Sequence, residues 1–195
     1  MHVKCFKTWK RGEFIKKLQI SISLLEKSRE EATNRLVSLL ETKKIRETEL
    51  HEIIKKEVAD ILASAKFLTR TEVWVFDKRK EVYRVPLIDY MIEGKYPSYL
   101  SRLYGELPRI DLVALLSYLK YREPSFLFAV EISITSFQKD IEKLKNADVF
   151  DAKVIFTPQK VGKIDNIFIA NVQNFVDIVI NMLYEFYKKE KIKTP

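Results

Sequence analysis

Two nearly continuous apolar runs constrain this chain most: Arg109-Ile-Asp-Leu-Val-Ala-Leu-Leu116 and Phe126-Leu-Phe-Ala-Val-Glu-Ile-Ser-Ile134. Runs of this length and composition read as strands buried on both faces, and such strands need helices packed above and below them. The predicted class is α/β, a mixed sheet flanked by helices. Each run carries one carboxylate, Asp111 in the first and Glu131 in the second. With 195 residues, 47% of them hydrophobic and only 4 Gly, the chain has enough apolar material for one real core and little room for two. Its longest apolar stretches, such as Leu112–Leu116 and Phe126–Val130, fall far short of the roughly 20 residues of a membrane-spanning helix.

Ahead of the strands, Glu13 to Leu40 contains neither Pro nor Gly, and Ile15, Leu18, Ile22, Leu25, Arg29, Ala32, Leu36 and Leu39 follow a heptad spacing. The spacing predicts a coiled-coil-type helix of roughly 40 Å that pairs with a second copy, making a homodimer. The alternative is that it folds back on its own domain. Residues 1–47 are accordingly read as a basic segment plus dimerisation helix, and 48–195 as the α/β domain. A second helix, capped by Thr48 and running to about Phe67, buries Leu50, Ile53, Ile54, Val58, Ile61, Leu62 and Ala65. Glu57 falls within that apolar stripe.

The remaining elements follow from changes of period. Val73–Phe76 and Glu81–Val85 alternate about the polar stretch Asp77–Lys80 and predict a hairpin, followed by loop and a short helix near Tyr99–Tyr104. Thr135 with Gln138 predicts a capping box for a helix with Phe137, Ile141 and Leu144 inward. Ala152–Phe156 and Asn166–Ile169 read as strands, and Val172, Phe175, Val179, Met182 and Phe186 line a terminal helix.

Charge and chemistry narrow the function. Thirty-five Lys+Arg against 27 Asp+Glu give a net +8, and the excess is concentrated in residues 1–70, with 16 basic and 10 acidic side chains. A basic protein attracts polyanions, nucleic acid foremost. Lys7, Lys10 and Arg11, interleaved with Phe6, Trp9 and Phe14, and the tip Lys78-Arg79-Lys80 are the candidate phosphate contacts; a solvated terminus and a solubility device are the plainer readings of the same residues. One Cys and two His exclude a zinc site, and without the apolar core of a secretory signal the cytoplasm is the expected location. Abundant Lys and Glu with few Gln point to a hot environment.

Glu57, Asp111 and Glu131 all stand where apolar residues are expected. Ionised carboxylates on consecutive core elements need a common counter-ion, and oxygen-only ligation selects Mg²⁺ or Mn²⁺. Salt bridges to Arg109, Arg84 or Lys153 are the structural alternative.

The order helix with Glu57, hairpin, strand with Asp111, strand with Glu131, helix, strand resembles the PD-(D/E)XK nuclease superfamily over residues 49–157. Pro108-Arg-Ile-Asp111 and Val130-Glu-Ile-Ser133 stand as its two acidic motifs and Glu57 as its helical acid. The passage from Phe128-Ala-Val-Glu-Ile into a helix with Gln138 and Lys139 is similar to archaeal Holliday-junction resolvases. The resemblance implies a restriction-endonuclease-like fold and metal-dependent hydrolysis of DNA. Asp111 and Glu131 would hold Mg²⁺ or Mn²⁺, with Glu57 joining directly or through water. The motif lysine, which positions the attacking water, is Ser133 in this chain. Lys139, Lys143, Lys145 and Lys153 are the amines that stand near in sequence. Helical geometry turns Lys139 and Lys143 away and sets Gln138 and Lys145 beside the buried face, while Lys153 could approach from the neighbouring strand and is taken as a candidate catalytic amine. A nuclease-like protein that only binds nucleic acid, or an interaction scaffold, is the alternative function.

Overall fold

A computed structural model describes residues 2–41, 46–75, 80–95, 109–117, 124–135, 137–158 and 161–192, the side chains of 2–9 and 80–83 excepted. Helices α1 (His2–Glu41) and α2 (Glu47–Ser64) precede strand β1 (Leu68–Trp74) and helix α3 (Lys80–Glu93). Strands β2 (Arg109–Ser117) and β3 (Ser125–Ile132), helix α4 (Gln138–Lys145), strands β4 (Ala152–Phe156), β5 (Gly162–Ile164) and β6 (Ile167–Ala170), and helix α5 (Phe175–Ile192) complete the order. The strands form one mixed sheet in the order β1-β2-β3-β4-β6-β5. β1, β2 and β3 are antiparallel neighbours, β4 and β6 run parallel to β3, and β5 closes antiparallel on β6.

Both apolar runs became inner strands because each face has a cover. Leu112, Ala114 and Leu116 of β2, with Phe126, Phe128 and Val130 of β3, pack into the core that α1, α2 and α5 share. Val113, Leu115, Leu127 and Ala129 face the opposite core, closed by Leu87, Ile88 and Met91 of α3 and by Ile141 and Leu144 of α4.

The heptad seam is occupied within the chain. Leu18, Ile22, Leu25, Ala32 and Leu36 are buried in the same core as the sheet, which removes the basis for a homodimer through this helix. Helix α5 is the antiparallel partner: Arg11 pairs with Glu190 at 3.2 Å, Phe14 meets the Phe186 ring edge at 6.3 Å, and Arg29 reaches Asp177 at 3.2 Å. The last of these explains a charge inside the seam.

The expected hairpin is corrected. Glu81–Val85 belongs to helix α3, which continues through Pro86. Leu87, Ile88 and Met91, at the 3- and 4-residue spacing of a helix face, are fully buried, and that packing outweighs the hydrogen bond Pro86 cannot donate. Gly94, at φ +78°, ends the helix in the left-handed region, where the Arg70 guanidinium would crowd a side chain. The expected loop helix near Tyr99–Tyr104 lies outside the described residues. Short β5 is an addition to the sequence reading. No helix among the described residues is long and apolar enough to cross a membrane.

Candidate active site

The ladder between β2 and β3 runs from Ser117 opposite Ser125 to Leu112 opposite Val130 and stops there. Its register sets the next residues, Asp111 and Glu131, opposite each other where the strands part. Asp111 also drops out of the β1 ladder, between the pairs Thr71–Leu112 and Val73–Ile110. Facing it there, Glu72 adopts φ +55°, a left-handed conformation that breaks regular pairing. The Asp111 carboxylate takes over one of the freed donors: its Oδ2 accepts from the Ile132 N–H at 2.8 Å.

The same oxygen lies 3.2 Å from Nε2 of His51 on α2. Glu131 is 1% exposed, and its Oε2 accepts from Nζ of Lys143 on α4 at 2.8 Å. Lys143 also donates to the Arg109 carbonyl at 3.1 Å and stands 3.6 Å from Asp140. Its side chain leans back toward the start of α4, as helical side chains do, and that brings the amine over the end of β3. Two strands and two helices thus supply His51, Asp111, Glu131 and Lys143.

The electrostatics of the pair are asymmetric. Burial pushes the Glu131 carboxyl up, the Asp111 charge pushes it further, and Lys143 only partly offsets them, leaving it at about 9. Burial also pushes Asp111 up, but hydrogen bonds from His51 and the Ile132 N–H outweigh it, and this carboxyl lies below its usual range. The hydrogen bond to Asp111 raises His51 above an ordinary imidazole despite burial. Burial pulls the Lys143 amine down, yet the carboxyls of Glu131, Asp140 and Asp111 hold it above its usual value. Oε1 of Glu131 is buried and meets no hydrogen-bond donor among the described residues.

Of the three acids singled out in the sequence, Asp111 and Glu131 meet and Glu57 does not join them. Glu57 turns to α1, where its Oε1 lies 2.7 Å from Arg35. Six residues beyond His51 on α2, it lies about 120° away around the helix from the position that reaches Asp111. Ser133 is buried and donates its backbone N–H to the Phe156 carbonyl at 2.8 Å. Thr135 does not cap α4 but donates to Glu47 at 3.0 Å, and Gln138 is exposed at the start of that helix. Lys153, paired in register with Ala129, directs its amine to Asp148, 3.6 Å away. It is Lys143 that takes the place expected of Lys153, so the expectation that Lys143 turns away is corrected. The alternative basic partners point elsewhere among the described residues: Arg84 holds Asp151 at 2.6 Å and Arg109 holds Glu72 at 2.7 Å.

Among the candidate phosphate contacts, Arg11 is engaged by Glu190, and Lys10 is half-buried near the start of α1. Lys7 and Lys80 lie in α1 and α3, their side chains outside the described residues, as are Lys78 and Arg79. His51 went unread, although it stands three residues before Ile54 and seven before Val58 on the stripe that exposed Glu57.

Among the described residues, no group of three or more His, Cys, Asp and Glu side chains is arranged to hold a metal ion. No family model, curated protein or solved structure matches this chain.

Proposed function

We propose that this protein is a divalent-cation-dependent nuclease that hydrolyses phosphodiester bonds in DNA, on a restriction-endonuclease-like sheet. The observation that carries the reading is the convergence of Asp111, Glu131 and Lys143 where β2 and β3 part. Two opposed carboxylates beside an amine are the minimum that such chemistry asks of a protein. The sheet supports it: helix α2 leads into β1, which with β2 and β3 forms an antiparallel trio, and helix α4 then leads to β4, parallel to β3; helix α3, between β1 and β2, is an insertion in the expected order.

The residues present suit the ion. Glu131 has a buried oxygen with no donor, and beside it Asp111 carries a charge that disfavours ionisation of Glu131. Mg²⁺ commonly binds through one or two carboxylates and completes its octahedron with water and substrate phosphate, so two acids suffice. Asp111 and Glu131 would hold it. The chemistry Mg²⁺ or Mn²⁺ would supply there is polarisation of the phosphoryl oxygen and a lowered pKa for the attacking water.

Lys143 does the work of the lysine that Ser133 replaces. Its ammonium, fixed by Glu131 and the Arg109 carbonyl, donates toward the attacking water and the charge that builds on the phosphoryl oxygens. The water oxygen bonds to phosphorus as the opposite ester bond breaks; the water gives its proton to solvent and the departing oxygen takes one from solvent. With an amine in place, Ser133 no longer argues for a protein that only binds. A net +8 favours a polyanionic substrate, and the absence of a base-reading element in the sequence favours structure-selective or nonspecific cutting.

The test is incubation of labelled single-stranded, duplex and four-way-junction DNA with the protein and Mg²⁺ or Mn²⁺. Products that require the metal and vanish in Asp111→Ala and Glu131→Ala support the reading. A folded protein that cuts none of the three, in either metal, contradicts it.

A further inference from the structure

We propose that His51 is a positioning residue for Asp111, so that α2 contributes an imidazole N–H to this site where the resemblance led one to expect a third carboxylate. The inference rests on the reading of Asp111 and Glu131 as a cation site and adds to it the device that aims one of the two ligands.

An aspartate carboxylate can rotate about its last side-chain bond, and a ligand free to rotate loses that freedom when it binds a cation. Asp111 has already lost it. Its Oδ2 accepts from the Ile132 N–H at 2.8 Å and lies 3.2 Å from His51 Nε2. The two donors come from different elements, β3 and α2, and both take the same oxygen. An ionised carboxylate only accepts, so Nε2 carries a hydrogen toward Asp111, and in the charged imidazolium Nδ1 carries one toward Glu52 as well. With Oδ2 held from two directions, Oδ1 is left as the oxygen to meet a cation.

The imidazole is itself held. Its Nδ1 lies 3.3 Å from Glu52 Oε1, and that oxygen accepts from Lys55 Nζ at 2.7 Å. Lys55 is 3% exposed and also bonded to Glu72, the left-handed residue of β1 that faces Asp111. The chain Lys55–Glu52–His51–Asp111 therefore starts in the packed interior and ends on the proposed ligand. Partners of this kind behind a metal ligand are worth about 10- to 100-fold in metal affinity. Glu57 has no share in this, since it faces Arg35.

The experiment is a Mn²⁺ titration of the full chain, followed by the electron paramagnetic resonance signal of free Mn²⁺, with circular dichroism on each variant. His51→Gln, whose amide supplies an N–H at similar reach, is expected to bind within about 3-fold of the parent. His51→Ala and His51→Asn, the latter polar but too short, are expected to bind about 10- to 100-fold more weakly. The asparagine variant decides the matter should the alanine variant unfold. Parent-like affinity in both His51→Ala and His51→Asn would overturn the proposal while leaving the cation site standing. So would equal losses in His51→Gln and His51→Ala, or a directly coordinated nitrogen in the pulsed spectrum of the parent, either of which makes His51 a ligand. A parent chain that binds no Mn²⁺ overturns the site reading and this proposal together.

Discussion

Nζ of Lys143, on helix α4, lies 2.8 Å from Oε2 of Glu131, at the end of strand β3. Twelve residues separate them, and no spacing rule on a single element links the two. The relationship predicts a division of labour. Lys143→Met should keep its circular dichroism spectrum and its Mn²⁺ affinity within a few-fold, while single-turnover cleavage falls about 100- to 1,000-fold, as when one transition-state donor is removed. A variant that cuts at the parent rate would assign the amine a purely structural role.

Glu131 should leave its mark on stability. Its carboxyl sits at about 9 in the folded chain against an ordinary 4.5, so between those values the unfolded state has released a proton that the folded state retains. Stability therefore falls as pH rises from about 4.5 to 9, by at most about 1.4 kcal/mol per pH unit for one group, and levels off above. Glu131→Gln removes this contribution, so its advantage over the parent should grow across the window. Denaturant melts of both proteins at pH 5, 7 and 9 check it. An advantage that shrinks with pH would contradict the burial argument.

Metal should reverse that penalty. A cation at the acid pair binds the folded state alone and stabilises it by about 2.7 kcal/mol at a hundredfold excess over Kd. At this chain length such a gain raises Tm by roughly 5–11 °C. Thermal melts with and without Mn²⁺ should show the rise in the parent and its loss in Glu131→Gln and Asp111→Asn. An equal rise in all of them would place the ion elsewhere.

Glu57 and Arg35, 2.7 Å apart, tie α2 to α1, and the Arg35 side chain is 46% exposed. Glu57→Gln should therefore cost under about 1 kcal/mol and leave Mn²⁺ affinity and cleavage within twofold. Loss of metal binding in this variant would restore Glu57 to the site.

Leu25 tests the fate of the heptad seam. It is fully buried in the core shared with α5 and the sheet. Leu25→Ala should cost about 2–5 kcal/mol in a denaturant melt whose midpoint is independent of protein concentration. A midpoint that moves with concentration would return the seam to an interface between copies.

The two acids were legible because a carboxylate costs most to bury, and Asp111 and Glu131 each interrupt an apolar run. Their meeting followed from the strands being neighbours. Lys143 was not legible, since it lies beside the inward Ile141 and Leu144 on α4 and reaches Glu131 only through the backward lean and length of its side chain. Glu57 interrupts a stripe as Asp111 does, but it pairs with Arg35 of α1 rather than with the two strand acids. Helix α3 was missed because Glu81–Val85 alternates like a strand, and the helical spacing of Leu87, Ile88 and Met91 lay beyond a proline that reads as a stop. The seam of α1 was read as an interface with a second copy, whereas its residues are buried against α5 and the sheet; spacing alone does not say which partner fills such a stripe.

The most direct measurement is cleavage of end-labelled four-way-junction and linear DNA in Mn²⁺ by the parent, Asp111→Asn, Glu131→Gln and Lys143→Met, each shown to be folded. Shortened products from the parent alone, abolished by chelation of the metal, are the predicted result. A folded parent that binds Mn²⁺ and DNA yet leaves every strand intact, or an Asp111→Asn protein that cuts as the parent does, would contradict it.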